Sequence, residues 1–583
     1  MTNVAVQMIG YCIILIVLAV PLGTYIAKVM NGEPVLFTRL LRPAERGIYR
    51  LLKIDEKEEM GWKKYSVCTA AFSAISLLFL WALLCLQRFL PLNPQGMDGM
   101  SWHLGFNTAA SFITNTNWQA YSGESALSYF SQMIGLNVQN FVSAAVGIAV
   151  LFALIRGFVR VKKYGLGNFY TDMTRIILYV LIPLSIILSL SIVSQGVPQT
   201  LRPYDEVELL EPIEVAGDDG GTVTVSKQVV PLGPAGSQIA IKQLGTNGGG
   251  FFGNNSAHPF ENPTPFSNLL EMISLLLIPA ALCFTFGRNV RDKRQGIAIF
   301  LAMFILLAVS LAVVGAAEQQ GTPQLAQDGA VYMGTGGQAG GNMEGKETRF
   351  GVATSATWAV FTTAASNGSV NSMHDSYTPL GGMIPMLLIQ LGEVVFGGTG
   401  CGLYGMIGFA IMTVFIAGLM VGRTPEYLCK KIEPFEMKMA VLVCLATPVA
   451  ILVGSGIAAL LPATHDSLNN PGAHGLSEVL YAFSSAGGNN GSAFAGFNAN
   501  TPFLNVSLGL IMLFARFVPM FATLAVAGNL VEKKRVAVSS GTLPTSNVMF
   551  IFLLIFVVLL VGALSFFPAL SLGPVAEYFE MIA

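Results

Sequence analysis

The chain has 583 residues, of which 53% are apolar and only 11% are charged, and its formal net charge is −1. An ordinary soluble protein has about a quarter of its residues charged, so this composition excludes a soluble multidomain enzyme and indicates a polytopic membrane protein. The balanced overall charge implies neither a nucleic-acid partner nor attraction to an anionic membrane surface. The 62 glycines predict much irregular backbone for a helical membrane protein.

Ten apolar stretches are long enough to cross a bilayer, which takes about 20 residues of α-helix. The first lacks the basic start and the cleavage site of a signal peptide, so we interpret it as a spanning helix. The seven cysteines are scattered, which favours buried apolar side chains over disulfides or zinc ligands. The predicted fold class is an all-α polytopic membrane protein with helices near residues 4–29, 67–90, 130–155, 173–195, 266–287, 296–318, 383–420, 439–461, 503–530 and 547–569.

The loops after the odd-numbered stretches hold 24 of the 32 basic residues. Positively charged loops stay in the cytoplasm, so both termini are predicted to lie outside the cell. The longest of these loops, residues 31–66, is basic and has an amphipathic pattern. The orientation therefore follows from charge alone.

Four predicted external loops, near 91–129, 196–265, 319–382 and 462–502, are long, polar and rich in Gly, Asn, Ser and Thr. All five histidines lie in them, but dispersed, whereas a metal site needs clustered ligands. We therefore expect solvated histidines and no transition-metal site.

Each external loop carries a short, half-apolar helix followed by a polar run with glycine or asparagine. The four strings are HLGFNTAASFITNTNWQ (103–119), SQIAIKQLGTNGGGFF (237–252), TWAVFTTAASNGSVN (357–371) and SEVLYAFSSAGGNNGSAF (477–494). Aligning Asn115, Asn247, Asn367 and Asn490 gives separations of 132, 120 and 123 residues. Prolines then open the next helix in three copies. The pattern predicts a unit of helix, pore helix, polar loop and helix that occurs four times.

This unit divides the chain into six predicted parts. They are a first transmembrane helix with a basic cytoplasmic loop (1–66), four pore repeats (67–157, 158–290, 291–422 and 423–532), of which the third has a broken helix, and a last transmembrane helix with an external C-terminus (533–583).

Irregular backbone at membrane depth is tolerated only where protein buries it or where it lines a water-filled path. Four re-entrant loops around a pseudo-fourfold axis can aim their carbonyl oxygens at one point, where they replace the hydration shell of a cation. None of the four runs contains Asp or Glu, which favours a weakly hydrated monovalent ion over a divalent one. The alternative is four polar turns whose composition is fortuitous.

The strings TNTNWQ (114–119), TNGGGFF (246–252), SNGSVN (366–371) and NNGSAF (489–494) resemble the four filter loops of the potassium-binding A subunits of Kdp-type potassium-transporting ATPases. These proteins belong to the superfamily of potassium transporters, and the resemblance covers essentially the whole chain. It implies potassium as the ion and a central selectivity filter. The filter residues implied are Thr114, Asn115, Thr116, Asn117, Thr246, Asn247, Gly248, Gly249, Ser366, Asn367, Gly368, Ser369, Asn489, Asn490, Gly491 and Ser492.

Gly248, Gly368 and Gly491 match the filter glycine, and by this alignment Thr116 replaces it in the first loop. Gln119 matches a family position that faces the ion path.

Arg516 lies inside a spanning stretch, where an unpaired charge costs about 2.5–3.5 kcal/mol. It either pairs with a carboxylate such as Glu393 or faces the path just below the filter, where it would oppose a cation; the resemblance implies the second role, with potassium diverted sideways towards the pumping subunit.

The seventh stretch, 383–420, is too long for one crossing and contains the run LGEVVFGGTGCGLYG. Five glycines so close together argue against a uniform helix. We therefore expect an unwound segment that includes Gly397, Gly398, Gly400 and Gly402, and we interpret it as a candidate gate beneath the filter.

No DKTG-like phosphorylation motif and no Walker A motif occur in the sequence, and the closest string, GGNMEGKE (340–347), has Glu347 where Mg²⁺ needs Ser or Thr. We therefore assign no catalytic residue and no bound nucleotide. The resemblance implies that a separate P-type ATPase chain, the catalytic B subunit, and the small accessory C and F subunits are partners in a bacterial plasma (inner) membrane. The alternative is a self-contained potassium channel or symporter of the Trk or Ktr type. An organic-solute transporter is disfavoured because its repeats would be inverted.

Overall fold

A computed structural model describes residues 2–216, 222–324, 340–537 and 542–583. Within them, ten helices are long and apolar enough to cross a membrane, as predicted. Their bounds shift by a few residues at most ends, and the last span runs on to the C-terminus. They are Val4–Met30, Trp62–Phe89, Ser131–Val159, Phe169–Val193, Pro265–Asn289, Lys293–Gln320, Cys401–Met420, Pro434–Ala459, Pro502–Glu532 and Val548–Ile582.

Four shorter helices lie in the four polar loops, where the repeat pattern placed them. We call them pore helices 1 to 4: Trp102–Ile113, Ala235–Leu244, Gly351–Ala364 and Gly472–Gly487. Most of their side chains are buried, although more than half of these are polar or small. A helix that is buried on all sides must sit inside the bundle, so each pore helix dips back among the spanning helices.

A threonine N-cap followed by proline begins the helix after three of the polar runs, as the prolines predicted. Thr264, Thr378 and Thr501 each accept a hydrogen bond from a backbone N–H in the first helical turn. Proline suits the first helical position because its missing N–H would have no partner there. The chain therefore turns sharply from each of these loops into a new helix.

The predicted seventh stretch is two helices, Pro379–Gln390 and Cys401–Met420, separated by residues 391–400. The expected break is therefore present. Five residues of this segment have positive φ angles, among them Glu393 at 59° and Phe396 at 66°. Such angles cannot continue an α-helix.

The structure adds a β-hairpin that the all-α prediction did not contain. Asp205–Ala216 pairs antiparallel with Thr222–Val230 in the second polar loop, with an irregularity in register between Glu208 and Ile213. Valine and threonine dominate its second strand, and such β-branched residues favour strands. A second, minimal pair joins Glu426–Tyr427 to Lys430–Lys431.

Shorter elements connect the spans. Helix α2, Thr38–Leu52, follows the first span (helix α1, Thr2–Met30) and is strongly amphipathic, as its loop predicted. The other short helical segments are Gly123–Ala126, Asn255–Ala257, His374–Ser376 and Pro462–His465, and π-helical turns occur at Ser131–Asn137, Ile176–Leu181 and Ser571–Val575.

The expectation of five solvated histidines is wrong for His374. Its side chain is buried, and its Nδ1 lies 3.0 Å from the Tyr481 hydroxyl. His474 is only partly exposed and lies between Asp375 and Glu577 at 3.0 and 2.8 Å. The loops pack against one another, so residues far apart in sequence meet, which spacing could not reveal.

Candidate ion-binding site

The four pore helices end in the same backbone turn. The second residue after each helix, Asn115, Thr246, Ser366 or Asn489, has a positive φ of 67°, 52°, 49° or 46°. The next N–H then donates to the carbonyl five residues back, over 2.8–2.9 Å; the pairs are Thr116 to Ser111, Asn247 to Lys242, Asn367 to Thr362 and Asn490 to Ser485. Four matching turns show that the repeat in the sequence is a repeat in the structure.

This shared turn corrects the alignment of the first copy by one residue. Thr116, not Asn115, is equivalent to Asn247, Asn367 and Asn490. Asn117, not Thr116, therefore occupies the position of the filter glycines. Its φ of 56° is positive like those of Gly248 at 97° and Gly491 at 99°, and asparagine is among the few other residues that tolerate this region.

The glycines bring the loops into backbone contact around a ring. A Cβ atom on Gly248 would overlap the backbone of Gly368, and one on Gly368 would overlap Asn490 and Gly491. A Cβ atom on Gly491 would overlap the carbonyl of Thr116. Each glycine therefore faces the next repeat, and loops 2, 3, 4 and 1 follow one another around the axis.

Between loops 1 and 2, the contact has a different form. Gly249 lies against the Asn117 side chain, so a Cβ atom there would meet its Nδ2 at 3.0 Å. Asn115 also donates to the carbonyl of Thr246 over 2.9 Å. These contacts close the ring.

Asparagine amides link neighbouring repeats below the glycines. Asn367 donates to the carbonyl of Lys242 over 3.0 Å, and Asn490 donates to that of Thr362 over 3.1 Å. Each bond joins a loop to the pore helix of the preceding repeat. A buried backbone carbonyl needs such a partner, so these amides fix the angle between repeats.

The structure brings all sixteen predicted filter residues together, and nearly all of them are buried. The loops contribute only backbone, hydroxyl and amide groups, without a carboxylate. The pore helices run towards the ring with their C-termini, which carry partial negative charge. The ring is therefore a neutral cluster of oxygens with a favourable potential for a cation.

A buried ion pair behind loop 2 was not predicted from sequence. Lys242 and Glu261 form it, and neither side chain is exposed to solvent. Lys242 also donates to Asn255 Oδ1 over 2.7 Å, and Asn255 donates to the carbonyl of Gly248 over 2.6 Å. Glu261 Oε1 accepts from the N–H of Phe251 over 2.6 Å. The available signal was one lysine in an otherwise uncharged pore helix.

Gln119 lies at the end of loop 1 and holds loop 2. Its Oε1 accepts from the N–H of Gly250 over 2.9 Å, and its Nε2 donates to the carbonyl of Gly250 over 3.1 Å. The side chain is half-buried. Its amide therefore connects the first two loops.

The unwound segment 391–400 packs against the inner end of the filter loops. The N–H of Thr399 donates to Thr246 Oγ1 over 2.9 Å, and that of Gly397 donates to the carbonyl of Ala364, at the end of pore helix 3, over 2.8 Å. Gly400 touches the backbone of Gly147, so a Cβ atom there would overlap it. The segment thus lies on the side of the ring where the pore helices end, which we call beneath the ring.

Three of the four predicted gate glycines, Gly397, Gly398 and Gly400, lie in this unwound segment, whereas Gly402 lies in the first turn of the next helix. Gly397 and Gly400 have positive φ angles of 63° and 89°. A Cβ atom on Gly402 would overlap the carbonyl of Phe396. Glycine is therefore required here by close backbone packing as well as by conformation.

Arg516 lies one helical turn beyond Met512, whose carbonyl accepts from the loop-4 residue Asn489 over 3.1 Å. Its side chain is 3% exposed, and its Nη1 lies 2.8 Å from Cys401 Sγ and 3.8 Å from Glu393 Oε2. Among the described residues, Arg516 Nη2 and Glu393 Oε2 have no hydrogen-bond partner. Arg516 is therefore within ion-pair distance of Glu393, as one interpretation expected, and its role opposite a cation below the filter stays a prediction.

Sequence comparison identifies the family. The profile of the family described as "Potassium-transporting ATPase A subunit" (KdpA) matches residues 9–579. The chain belongs to this family. The KdpA family match covers the ring, the unwound segment and Arg516 together.

Individual relatives agree over full length. The chain is 71% identical over 582 residues to the "Potassium-transporting ATPase potassium-binding subunit" of Clostridium botulinum (strain Alaska E43 / Type E3), with 100% of each chain covered. It is 70% identical over 583 residues to the same-named protein of Clostridium perfringens (strain ATCC 13124), again with 100% of each covered. Among solved structures, the potassium transporter TrkH from Vibrio parahaemolyticus matches with a TM-score of 0.49 and 12% identity, covering 77% of this chain and 83% of that one.

Proposed function

We propose that this chain binds and selects extracellular potassium in the ring of four loops and passes it to a separate P-type ATPase chain for ATP-driven import. The observation that carries the proposal is the closed, uncharged ring in which Gly248, Gly368 and Gly491 each face the next repeat. Its relatives are named potassium-binding subunits of a potassium-transporting ATPase.

The chemistry of the ring supports a monovalent ion. Carbonyl and hydroxyl oxygens can replace the hydration shell of potassium, which holds its water weakly. A Mg²⁺ or Ca²⁺ site would need carboxylates, and the loops contain none. In this proposal the sixteen filter residues named above bind potassium.

The groups beneath the ring support a sideways path. The unwound segment contacts loop 2 through Thr399 and Thr246, and the buried guanidinium of Arg516 lies 3.8 Å from Glu393 of that segment; in this proposal both lie on the direct route to the cytoplasm. A cation that leaves the filter inwards meets both. We therefore assign Gly397, Gly398, Gly400 and Gly402 to a gate and Arg516 to a barrier that diverts potassium, with Gln119 at the outer entrance.

The proposal assigns potassium binding and ATP hydrolysis to different polypeptides. The chain contains neither a DKTG-like motif nor a Walker A motif, so ATP hydrolysis is assigned to another polypeptide. We propose the catalytic B subunit and the small C and F subunits of a Kdp complex as partners. The proposed location is a bacterial inner membrane, with both termini outside, because 24 of the 32 basic residues lie in loops of one side.

The test is copurification followed by flux measurement. Affinity purification of the tagged chain from its native membrane should recover a P-type ATPase chain, and the complex should take up potassium into vesicles only with ATP. Potassium flux through this chain alone would overturn the proposal in favour of a self-contained channel.

A further inference from the structure

Helix α2, Thr38–Leu52, has three distinct faces. Its inner face carries Glu45 and Tyr49, both 8% exposed, and packs on the fourth span. The second face is apolar and the third is basic. Neither outer face is explained by potassium binding.

The depth of α2 is set by its inner face. Glu45 accepts from Arg175 Nε over 3.0 Å and from the Tyr179 hydroxyl over 2.8 Å. Tyr179 lies well inside the span Phe169–Val193, about 15 Å from its start at 1.5 Å per residue. Tyr25, inside the first span, donates to the Tyr179 carbonyl over 2.7 Å. The helix therefore packs against the flank of the first and fourth spans, near the end of the fourth span that begins at Phe169.

The apolar face consists of Leu40, Ala44, Gly47 and Leu51, which recur every three or four residues and so share one side of the helix; Leu36 lies in the turn just before the helix. The three leucines are 85%, 74% and 80% exposed in the isolated chain. Leucines so exposed are unfavourable in water, but contact with acyl chains removes that cost.

The basic face follows the same spacing with Arg39, Arg42, Arg46 and Arg50. None of these four arginines forms an ion pair with a residue that the structure describes. The groove between α2 and the bundle is lined by Arg42, Arg46 and Arg175 together with Glu33, Glu45 and Glu56, so its charges balance. Helix α2 itself has four arginines and one acidic residue, Glu45, and the net charge of −1 for the whole chain hides this local excess of positive charge.

We propose that α2 is an interfacial helix that binds anionic phospholipid headgroups of the adjacent leaflet. Its leucines enter the acyl-chain region, and its arginines contact headgroup phosphates. An amphipathic helix with a basic polar face and leucines on the other has the pattern of such helices. The depth set by Tyr179 and the charge complementarity select lipid as the occupant. This inference depends on the membrane location and not on the identity of the ion.

The first experiment measures depth. Two single-cysteine variants, Leu40→Cys and, as control, Leu210→Cys at a fully exposed position of the β-hairpin, are labelled with an environment-sensitive fluorophore. The background has serine in place of the partly exposed Cys68, Cys85 and Cys429. The chain is reconstituted in vesicles of phosphatidylcholine and phosphatidylglycerol, within the complex in which it purifies. The label at position 40 should be blue-shifted and quenched by spin-labelled lipid, and the label at 210 should not.

The second experiment measures headgroup choice. The triple variant R39Q/R46Q/R50Q is compared with K57Q/K162Q/K163Q, which removes three exposed charges from loops on the same side. Phosphatidylglycerol bound to the detergent-solubilised protein is titrated by native mass spectrometry. At about fivefold per arginine, the triple α2 variant should bind about a hundredfold more weakly, and the lysine control should be unchanged.

Results of three kinds would overturn the inference. One is a label at position 40 as polar as that at 210. The second is an equal loss of phosphatidylglycerol in both triple variants, or equal binding of phosphatidylcholine and phosphatidylglycerol to the unmodified chain. The third is protection of position 40 only when a partner protein is bound, which would make α2 a protein interface. Inorganic phosphate should not displace the lipid, because it lacks the acyl chains that the leucines contact.

Discussion

The ring of filter loops and the segment beneath it are both irregular backbone at membrane depth, and both depend on glycine, but they differ in charge. The ring presents neutral oxygens, whereas the region below it holds Arg516 and Glu393 within 3.8 Å of each other. Lys242, in pore helix 2, is held behind loop 2 by Glu261. This fold therefore keeps charge out of the proposed binding position and places it beneath the ring, where we propose that it stops ions, and behind loop 2, where it holds the loop.

The largest effect is expected where a charge behind the ring loses its partner. Lys242→Met leaves Glu261 buried and unpaired, which costs about 3–5 kcal/mol. Thermal unfolding in detergent should show a strong loss of stability, and potassium should no longer protect the protein. The double variant K242M/E261Q removes both charges and should recover part of the stability; a fully stable K242M would show that the ion pair does not hold loop 2.

The next effect is on the ring itself. Gly368→Ser places a side chain against Asn490 and Gly491 of the next loop, and overpacking costs about 1–3 kcal/mol. Apparent potassium affinity should fall by about tenfold to a hundredfold. Gly456→Ser is the control, because a Cβ atom there meets nothing within 4 Å. Unchanged uptake kinetics in G368S would contradict the filter assignment.

The variant Arg516→Gln tests the charge beneath the ring. It should let ions leak through the chain without changing which ion the filter binds. Like charges held close together repel by several kcal/mol, so loss of the guanidinium should raise ATP-independent rubidium flux through vesicles by about tenfold or more. Arg516→Lys keeps the charge and should leak less. If neither variant raises the ATP-independent rubidium flux above that of the unmodified chain, the barrier role is wrong.

A smaller effect tests the register of loop 1. Asn117→Gly keeps a residue that accepts a positive φ but loses the hydrogen bond to Asn140 Oδ1, which is 2.7 Å long. Loss of one such bond costs about 1 kcal/mol, so affinity should fall about fivefold. Asn117→Ile, which is β-branched, should be much worse. Equal tolerance of both would contradict the positive-φ assignment.

The smallest effect on transport is expected from pH. The filter loops contain no group that titrates near neutrality, so potassium affinity should be constant from about pH 6 to pH 8.

At the outer rim, burial alone would lower the pKa of His474, but its hydrogen bonds to Asp375 and Glu577 raise it to about 10. A raised pKa stabilises the folded state fully below the ordinary value near 6.5, and this contribution is lost as pH rises through about 10. In His474→Gln, the free energy of unfolding should no longer fall as pH rises from about 6.5 to about 10.

Much of this architecture could be predicted because hydrophobic length, loop charge and the four-copy pattern are local properties of the sequence. The spans, the pore helices and the break before Cys401 all follow from them. The equivalence of Asn117 with the filter glycines could not be predicted, because TNTNWQ contains two asparagines and aligning on the first, Asn115, places loop 1 one residue out of register. Only the backbone angles and hydrogen bonds reveal this shift. The Lys242–Glu261 pair and the burial of His374 depend on contacts between distant segments, which spacing does not encode. The β-hairpin was missed because its strands lie inside a long polar loop.

The contact between Asn117 and Gly249 has a consequence for how the four copies can change. At the position of the filter glycines, loop 1 has the side chain of Asn117. At the next position, loop 2 has Gly249, whereas loops 3 and 4 have Ser369 and Ser492. The volume added in one copy is thus offset by volume missing in its neighbour. Since every loop faces the next one, a side chain added at one of these positions needs space in the neighbouring loop, so the size of a residue in one copy limits the size of its neighbour in the next.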